Sequence, residues 1–430
     1  MRIEALANKK VLLLGFGIEG KATLEFLKHH FPDAEVGIAD QKDGPNYLEK
    51  QNVYDLAIRT PGLPKRLITI PYTTATNIFF ANVNGTTIGV TGSKGKSTTA
   101  ALIHAIFKAA ALNSRLVGNI GKPMLEELLS VNDRISEVPG TSDIQKLGAV
   151  YVCELSSYQL DDVEYSPHIS VFLNFFPDHM DYHGSVAEYW EAKKRIVARA
   201  TPNDYFVYNP AYPQLAQLAR ETKAMAIPFV KTLPFPDTAI PLLGEHNKDN
   251  VRAAVAVAEI LKITPEAIER AVRNFKPLPH RLQCLGTFHG VTFYDDAIST
   301  TPESTIKAIE ALPNISAIFL GGQNRGYDFS ALAETLVKYK IPNLVLFPDS
   351  GAAIAEALRK AGTVPARVLE TRDMARAVEF AYAHSPAGTV CLLSTASPSY
   401  TLWKNFEEKG DLFQQLVKRL APRENHAQTG

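Results

Sequence analysis

Lys96 and Ser97 close the string Thr91-Gly-Ser-Lys-Gly95-Lys96-Ser97-Thr98, the residues of this chain best suited to phosphate chemistry. Backbone N–H groups in such a loop, with a helix starting behind it, form a cradle for anions, and a lysine there reaches terminal phosphates. The adjacent hydroxyl is placed to ligate Mg²⁺. A strict P-loop carries glycine five positions before Gly95, where this chain has Val90. The apolar run 88–90 and the amphipathic stretch that follows still give the order strand, loop, helix. Gly92, Ser93, Lys94, Gly95, Lys96, Ser97 and Thr98 are therefore read as contacts for ATP.

A second glycine loop, Gly15-Phe-Gly17-Ile18-Glu-Gly20, follows the apolar run 11–14, and Asp40 stands 20 residues past Gly20. Glycines at this spacing let the backbone approach a pyrophosphate, and the acid takes a ribose hydroxyl. The pattern points to something nucleotide-like without specifying NAD. The unit of about 80 residues is too short for a complete two-halved dinucleotide fold.

Glu154 ends the run 150–153 and opens Glu154-Leu-Ser156-Ser157-Tyr-Gln159, while Asp178-His179-Met-Asp181 follows the run 169–176. Ligands of open parallel sheets bind outside the carboxyl ends of the strands, so Glu154 and His179 fall on the rim that carries the P-loop. Oxygen ligands beside ATP phosphates suit Mg²⁺. Taken alone, His179 reads as a hydrogen-bonding loop residue, and Glu154 as either a helix-capping acid or a ligand. Lys193, in Glu191-Ala-Lys193-Lys194-Arg195-Ile196, reads by composition as one of a solvated basic face. His246-Asn247-Lys-Asp-Asn250 reads as a polar helix start, and Pro279-His280-Arg281 and Tyr294-Asp295-Asp296 lie near a linker.

The elements that must position these residues alternate along the chain. Short apolar runs such as 318–320, 344–347 and 390–393 read as buried parallel strands. The stretches between them read as amphipathic helices, for example 100–111 with Leu102, Ile103, Ile106 and Phe107 on one face. The class is α/β, and 430 residues suggest roughly three domains. Apparent first strands recur at 10–20, 86–98 and 290–301. The boundaries are placed at 1–80, 81–279 and 280–430, the second near two prolines in Lys276-Pro-Leu-Pro-His280. Residues 129–147 read as a polar surface insertion. Lys+Arg and Asp+Glu are 45 each, which argues against a nucleic-acid partner. No apolar run reaches the roughly 18 residues of a membrane span, and no signal core opens the chain. Three unpaired-looking cysteines, Cys153, Cys284 and Cys391, fit a reduced cytoplasm.

In their order these motifs resemble the Mur ligase family, the cytoplasmic ATP-dependent amide ligases of peptidoglycan synthesis. The order is Thr-Gly-x-x-Gly-Lys-Ser-Thr, Glu-Leu-Ser-Ser-Tyr-Gln-Leu, Asp-His-Met-Asp, Ala-Lys-x-Arg-Ile, His-Asn-x-x-Asn and Pro-His-Arg, then Asp-Asp, Gly-Gly and Lys-Asn-Phe-Glu. The likeness spans the chain apart from 129–147 and is strongest to the branch that adds glutamate to UDP-N-acetylmuramoyl-L-alanine.

The resemblance implies a Rossmann-like N-terminal domain, a central P-loop ATPase with a parallel sheet, and a Rossmann-like C-terminal domain. It implies that Gly17, Ile18, Asp40, Thr60, Pro61, Gly62, Asn119, Ser156, Ser157 and Gln159 hold the UDP substrate. It also implies two Mg²⁺ sites, with Ser97 at one and with Glu154, His179 and a carbamylated Lys193 at the other. Asn247, Asn250, Arg281 and Asp296 then contact ATP, and a monomer is expected.

Departures fall at the amino-acid site. The family's Asp-Ser-Lys-Ala-Thr-Asn is Asp296-Ala-Ile298-Ser-Thr300-Thr301 here, a family lysine is Arg325, and Ser-Leu-Asp is Ser399-Tyr-Thr401. Thr300, Arg325, Ser399 and Phe406 are the implied glutamate contacts. Asp-Asp-x-x-Ser-Thr-Thr-Pro is similar to a branch that uses L-glutamate, so D-glutamate, the family default, and L-glutamate both stay open. The rival classes are an NAD-linked oxidoreductase, which leaves the P-loop without a role, and a regulatory P-loop NTPase, which leaves Asp40, Asn119 and Lys193 without one. A folate- or cyanophycin-type ligase fits the N-terminal loop poorly.

Overall fold

A computed structural model describes residues 1–129, 148–362 and 365–421. The insertion expected at 129–147 lies, Leu129 aside, outside them. The first sheet holds β1 (Val11–Leu14), β2 (Val36–Ala39), β3 (Leu56–Arg59) and β4 (Tyr72–Thr74), parallel and in the order β2-β1-β3-β4. The second holds β5 (Thr86–Thr91), β6 (Ser114–Gly118), β7 (Val150–Glu154), β8 (Ile169–Phe172), β9 (Tyr205–Tyr208) and β10 (Met225–Pro228). It is parallel throughout, in the order β10-β9-β8-β5-β7-β6.

Both sheets belong to one compact unit, Met1–Ile240 with His246–Phe275. Their inner strands read as unbroken apolar runs because helices cover both faces; every residue of β1, β3, β7 and β8 is buried. The helix Lys96–Ala109 buries Leu102, Ile103, Ile106 and Phe107. Spacings of one and four residues put these on one stripe, which packs with Ile88, Val90, Val150 and Val152.

The second compact unit, Pro241–Glu245 with Lys276–Gly430, holds β11 (Gln283–Phe288), β12 (Val291–Asp295), β13 (Ile315–Gly321), β14 (Asn343–Phe347), β15 (Arg367–Glu370) and β16 (Val390–Leu393). Their order is β11-β12-β16-β13-β14-β15. This sheet departs from an all-parallel expectation. β11 and β12 pair antiparallel across the two-residue turn His289-Gly290, where both φ values are positive, +48° and +76°. That backbone matches the twist of a tight hairpin. β11 went unseen because it is a half-exposed edge strand without an apolar run.

Two further helices carry residues singled out by the sequence. The polar start His246–Asn250 opens the helix Glu245–Ile260, and the Lys193 stretch is the helix Val186–Lys194 followed by a 3-10 turn, Arg195–Val197. Among the described residues no helix is long and apolar enough to cross a membrane. Cys153, Cys284 and Cys391 are free thiols.

Candidate active site

The P-loop joins β5 to the helix Lys96–Ala109, and β5 lies between β7 and β8. Gly92 and Gly95 take φ of +154° and +88°, values that strain any side chain. A methyl group on Gly95 would stand 2.4 Å from the amide oxygen of Asn250. Asn250 is buried, accepts from the Thr99 hydroxyl at 3.2 Å and donates to Asn247 Oδ1 at 2.8 Å. The structure thus brings Asn247 and Asn250 against the loop that the sequence reading assigns to ATP.

Side chains brace the other flank. Ser93 Oγ donates to Phe176 O (2.8 Å) and accepts from Tyr189 OH (3.1 Å). Asn174 accepts from Lys94 N and donates to Lys94 O. Lys96 Nζ donates to Gly92 O and Ser93 O, both at 3.0 Å. Ser97 is half-buried in the helix's first turn.

Lys193 overturns its compositional reading. Only 1% of it is exposed, because the helix Val186–Lys194 turns it inward beneath the loop. Its amine donates to Gly92 O at 2.8 Å and Thr91 Oγ1 at 3.3 Å. Burial first, then the charge of Lys96, push the amine well below the ordinary lysine range, against opposing pulls from Asp178 and Glu154.

Glu154, at the end of β7, is 1% exposed. Its Oε1 accepts from Asn119 Nδ2 at 3.5 Å, and its Oε2 is buried without a hydrogen-bond partner. An unpaired buried carboxylate oxygen is costly unless a cation or donor meets it. His179 has a positive φ of +57°, and its Nδ1 hydrogen-bonds with Tyr158 OH at 2.9 Å. Burial lowers the imidazole to about 4 despite the pull of Asp178. Burial opposes the charge on Asp178, but Lys94, His179 and Lys96 hold it below the usual carboxylate range. Among the described residues no three His, Cys, Asp or Glu side chains alone form a metal cage.

A cavity of about 200 Å³ opens at the second glycine loop, lined by Gly15, Phe16, Gly17, Asp40, Gln41, Tyr47, Thr60, Gly62 and Leu63. Asp40 accepts from Phe16 N (2.7 Å) and Lys42 N (3.1 Å), and these bonds, Phe16 foremost, hold its carboxyl below the usual range. Its carboxylate therefore shapes the loop. Ile18 is 80% exposed in the first turn of the helix Ile18–His30, whose N-cap Gly17 has no side-chain cap. Thr60 Oγ1 donates to Leu14 O, and Pro61 sits between two lining residues.

Ser156 and Gln159 form a reciprocal capping box on the helix Ser157–Leu160. Ser157 Oγ meets His183 Nε2 at 3.0 Å, and Gln159 Nε2 reaches Glu19 Oε2 at 3.5 Å. Burial raises Glu19 to about 7, and its Oε1 is buried without a partner.

In the second unit, Asp295 ends β12 and Asp296 follows it. Asp295 Oδ2 pairs with His280 Nδ1 at 2.7 Å, which raises the imidazole's affinity for its proton against burial. Burial pushes Asp296 up to about 6, while Ser299, Ser394, Leu282 N and Arg281 act the other way. Thr300, Arg325, Ser399 and Phe406 follow β12, β13 and β16, which are adjacent strands. Ser399 Oγ is buried and unpartnered; Arg325 is exposed and donates to Gln323. Lys409, wholly buried in the helix Phe406–Leu420, donates to Thr395 Oγ1 at 2.5 Å. Burial lowers its amine to about 7, against Asp295 and Asp296.

Two family models match the chain, the Mur ligase middle domain over residues 90–234 and the Mur ligase glutamate ligase domain over 280–397. The UDP-N-acetylmuramoylalanine–D-glutamate ligase of Streptococcus agalactiae is 32% identical over 97% of this chain and 99% of its own length. The chain belongs to the Mur ligase family. The UDP-N-acetylmuramoyl-L-alanine–L-glutamate ligase of Salinispora tropica is 31% identical over 98% of this chain and all of its own length. Among solved structures, the MurF ligase from Thermotoga maritima in complex with ADP superposes with a TM-score of 0.62 at 16% identity, covering 96% of this chain and 95% of that one; this likeness concerns the three-domain fold.

Within this Mur ligase, sequence reasoning missed Tyr158, which orients His179, Glu19, and the buried guanidinium of Arg59. Tyr158 was inside a quoted motif, and only its partner identifies its task. Lys409 was in the Lys-Asn-Phe-Glu segment's continuation, where nothing in the pattern signals burial.

Proposed function

We propose that this Mur ligase joins glutamate to UDP-N-acetylmuramoyl-L-alanine with ATP, making an amide through an acyl phosphate. The observation that carries the reading is the β5 loop: an anion cradle flanked by the unpaired Oε2 of Glu154 and the buried amine of Lys193. Residues 1–80 are assigned to the UDP substrate, 81–279 to ATP and 280–430 to glutamate. Backbone N–H groups of 92–98 hold the phosphates, and Lys96 exchanges two loop carbonyls for phosphate oxygens. The alanine carboxylate attacks the γ-phosphorus and ADP leaves; the glutamate amine then attacks the acyl carbon and phosphate leaves.

The donor set fits two Mg²⁺ ions: Ser97 at one, and Glu154, His179 and Lys193 at the other. Lys193 suits this as a carbamate, formed when its uncharged amine adds CO₂ and loses a proton, giving oxygens where a cation would repel. Bound Mg²⁺ supplies charge neutralisation for phosphoryl transfer. Gly17, Ile18, Asp40, Thr60, Pro61, Gly62, Asn119, Ser156, Ser157 and Gln159 are assigned to the UDP substrate. Asn247, Asn250, Arg281 and Asp296 are assigned to ATP, and Thr300, Arg325, Ser399 and Phe406 to glutamate. Among the last group, the unpaired Ser399 hydroxyl supports a ligand there. The reading carries with it a cytoplasmic monomer that uses neither nucleic acid nor membrane insertion.

D-glutamate is the first assignment. L-glutamate is the second, favoured by the half-buried Ile298 at a family lysine position and by the S. tropica relative. The test is a coupled ADP-release assay with UDP-N-acetylmuramoyl-L-alanine and each glutamate enantiomer, with chiral analysis of the product. ADP release indifferent to both co-substrates overturns the ligase reading. Ile298→Lys should shift the preference towards D-glutamate; unchanged selectivity in an enzyme that already takes only D-glutamate removes the L-glutamate reading.

A further inference from the structure

Arg59, the last residue of β3, is 1% exposed, yet no step above uses it. Its guanidinium grips Asp162 through two parallel bonds, Nε to Oδ2 at 3.0 Å and Nη2 to Oδ1 at 2.8 Å. A bidentate fork of this kind fixes direction as well as distance. The remaining N–H groups go to backbone carbonyls in two directions. Nη1 donates to Leu63 O at 2.7 Å and, more weakly, to Pro61 O at 3.4 Å, inside the loop that lines the sugar-nucleotide cavity. Nη2 donates to Tyr158 O at 3.1 Å, and the Tyr158 hydroxyl holds His179 Nδ1. Nη1 also meets Tyr182 OH at 3.0 Å.

One rigid, always-charged group thus touches both the cavity loop and the tyrosine that orients the metal-site histidine. We propose that Arg59 is a positioning residue that holds loop 60–63 and the Tyr158–His179 arm in fixed register, so that a substrate anchored by its nucleotide presents its carboxylate at the P-loop. This rests on the functional reading above. The geometric logic is that of proximity: a misplacement of about 1 Å costs roughly a hundredfold in rate.

The rival explanation is a purely structural buried ion pair. Such pairs can often be replaced by apolar residues of similar size without loss of stability, whereas removing one partner alone is damaging. The experiment therefore uses Arg59→Lys, the paired exchange Arg59→Leu with Asp162→Leu, and Lys65→Met. Lys65 is the control cation: it binds Asp161, the neighbour of Asp162, through Oδ1 at 2.7 Å and the backbone carbonyl at 3.0 Å. Melting temperature, KM for each substrate and kcat are measured for all.

For Arg59→Lys and the paired exchange, the expected result is a KM for the UDP substrate raised about tenfold and kcat lowered about tenfold or more, with KM for ATP within about twofold. Lys65→Met should keep wild-type kinetics. A paired exchange that melts like wild type and keeps wild-type KM and kcat overturns the proposal. If the exchange does not fold, Arg59→Lys decides by the same split of KM and kcat. Calorimetry of wild type with UDP-N-acetylmuramoyl-L-alanine tests the underlying reading separately: no binding there removes the reading and the inference with it, while binding with unaffected variants removes the inference alone.

Discussion

Each compact unit buries a lysine near the carboxyl ends of its parallel strands, and the charges around the two lysines differ. Lys193 lies under the P-loop, where Lys96 and Lys94 add to its desolvation and Asp178 and Glu154 pull the other way. Lys409 faces Asp295 and Asp296, which favour its charge. Burial lowers both amines, so the neighbouring charges distinguish them: two lysines deepen the shift at Lys193, and two carboxylates oppose it at Lys409. A second contrast runs alongside. The rim of β5, β7 and β8 is made from backbone and already braced side chains, whereas the residues proposed to bind glutamate, after β12, β13 and β16, include an exposed arginine and an unpaired hydroxyl.

The largest effect that can break this contrast is at the cradle. Lys96→Ala should lower kcat by roughly a hundredfold to a thousandfold while calorimetry shows UDP-substrate binding intact. An enzyme with near-normal turnover would unseat the phosphate assignment. Lys193→Ala should be nearly as damaged and should recover in part with added short-chain carboxylate. A ¹³C-bicarbonate NMR experiment should give one carbamate signal that Lys193→Ala removes and Lys409→Met does not.

At the other rim the expected effect is in affinity. Arg325→Ala should raise the glutamate KM about tenfold, the value of a charge-assisted hydrogen bond, and leave the ATP KM alone. Equal changes in both would mean that the two rims are not chemically separate.

Gly95→Ala is smaller and tests the backbone half of the contrast. With φ at +88° and Asn250 Oδ1 at 2.4 Å from the added methyl, it should cost about 1–3 kcal/mol, read as a lower melting temperature. The double variant with Asn250→Ala should recover the steric part and not the conformational part.

The smallest effect is electrostatic. Glu19 binds its proton up to about 7 in the fold, against an ordinary 4.5. A carboxyl raised in this way contributes stability that is full below 4.5 and lost as pH rises through 7. Glu19→Gln should therefore match wild type near pH 4.5 and melt higher at pH 8. A lower melting temperature at pH 8 would show that the ionised carboxylate is well solvated or paired.

How far the molecule was legible depended on whether a property is local. The P-loop, the strand before it and the stripe Leu102, Ile103, Ile106, Phe107 are set by neighbours in sequence, so they could be read directly. Lys193 could not: Ala-Lys-Lys-Arg looks solvated until the helix Val186–Lys194 is packed beneath the loop. Arg59 was hidden for the same reason, since Asp162 stands 103 positions away. The hairpin strand β11 lacks an apolar run, and its signal was confined to His289-Gly290. Ser156, Gln159 and Asp40 show the converse: their motifs were visible, but the structure spends their side chains on capping backbone N–H groups, and any ligand contact must be made alongside that duty.

The unpaired Oε2 of Glu154 also bears on how the protein withstands heat. A buried acceptor without a partner weakens the native state by about 1–3 kcal/mol, and a divalent cation that satisfies it binds the folded chain alone. Magnesium would then act as a folding ligand, adding about 2.7 kcal/mol when its concentration is 100-fold above its dissociation constant. The thermal endurance of this enzyme would be set partly by the ionic supply of its surroundings, and Glu154→Gln would loosen that link: its melting temperature should climb less with added magnesium than that of wild type.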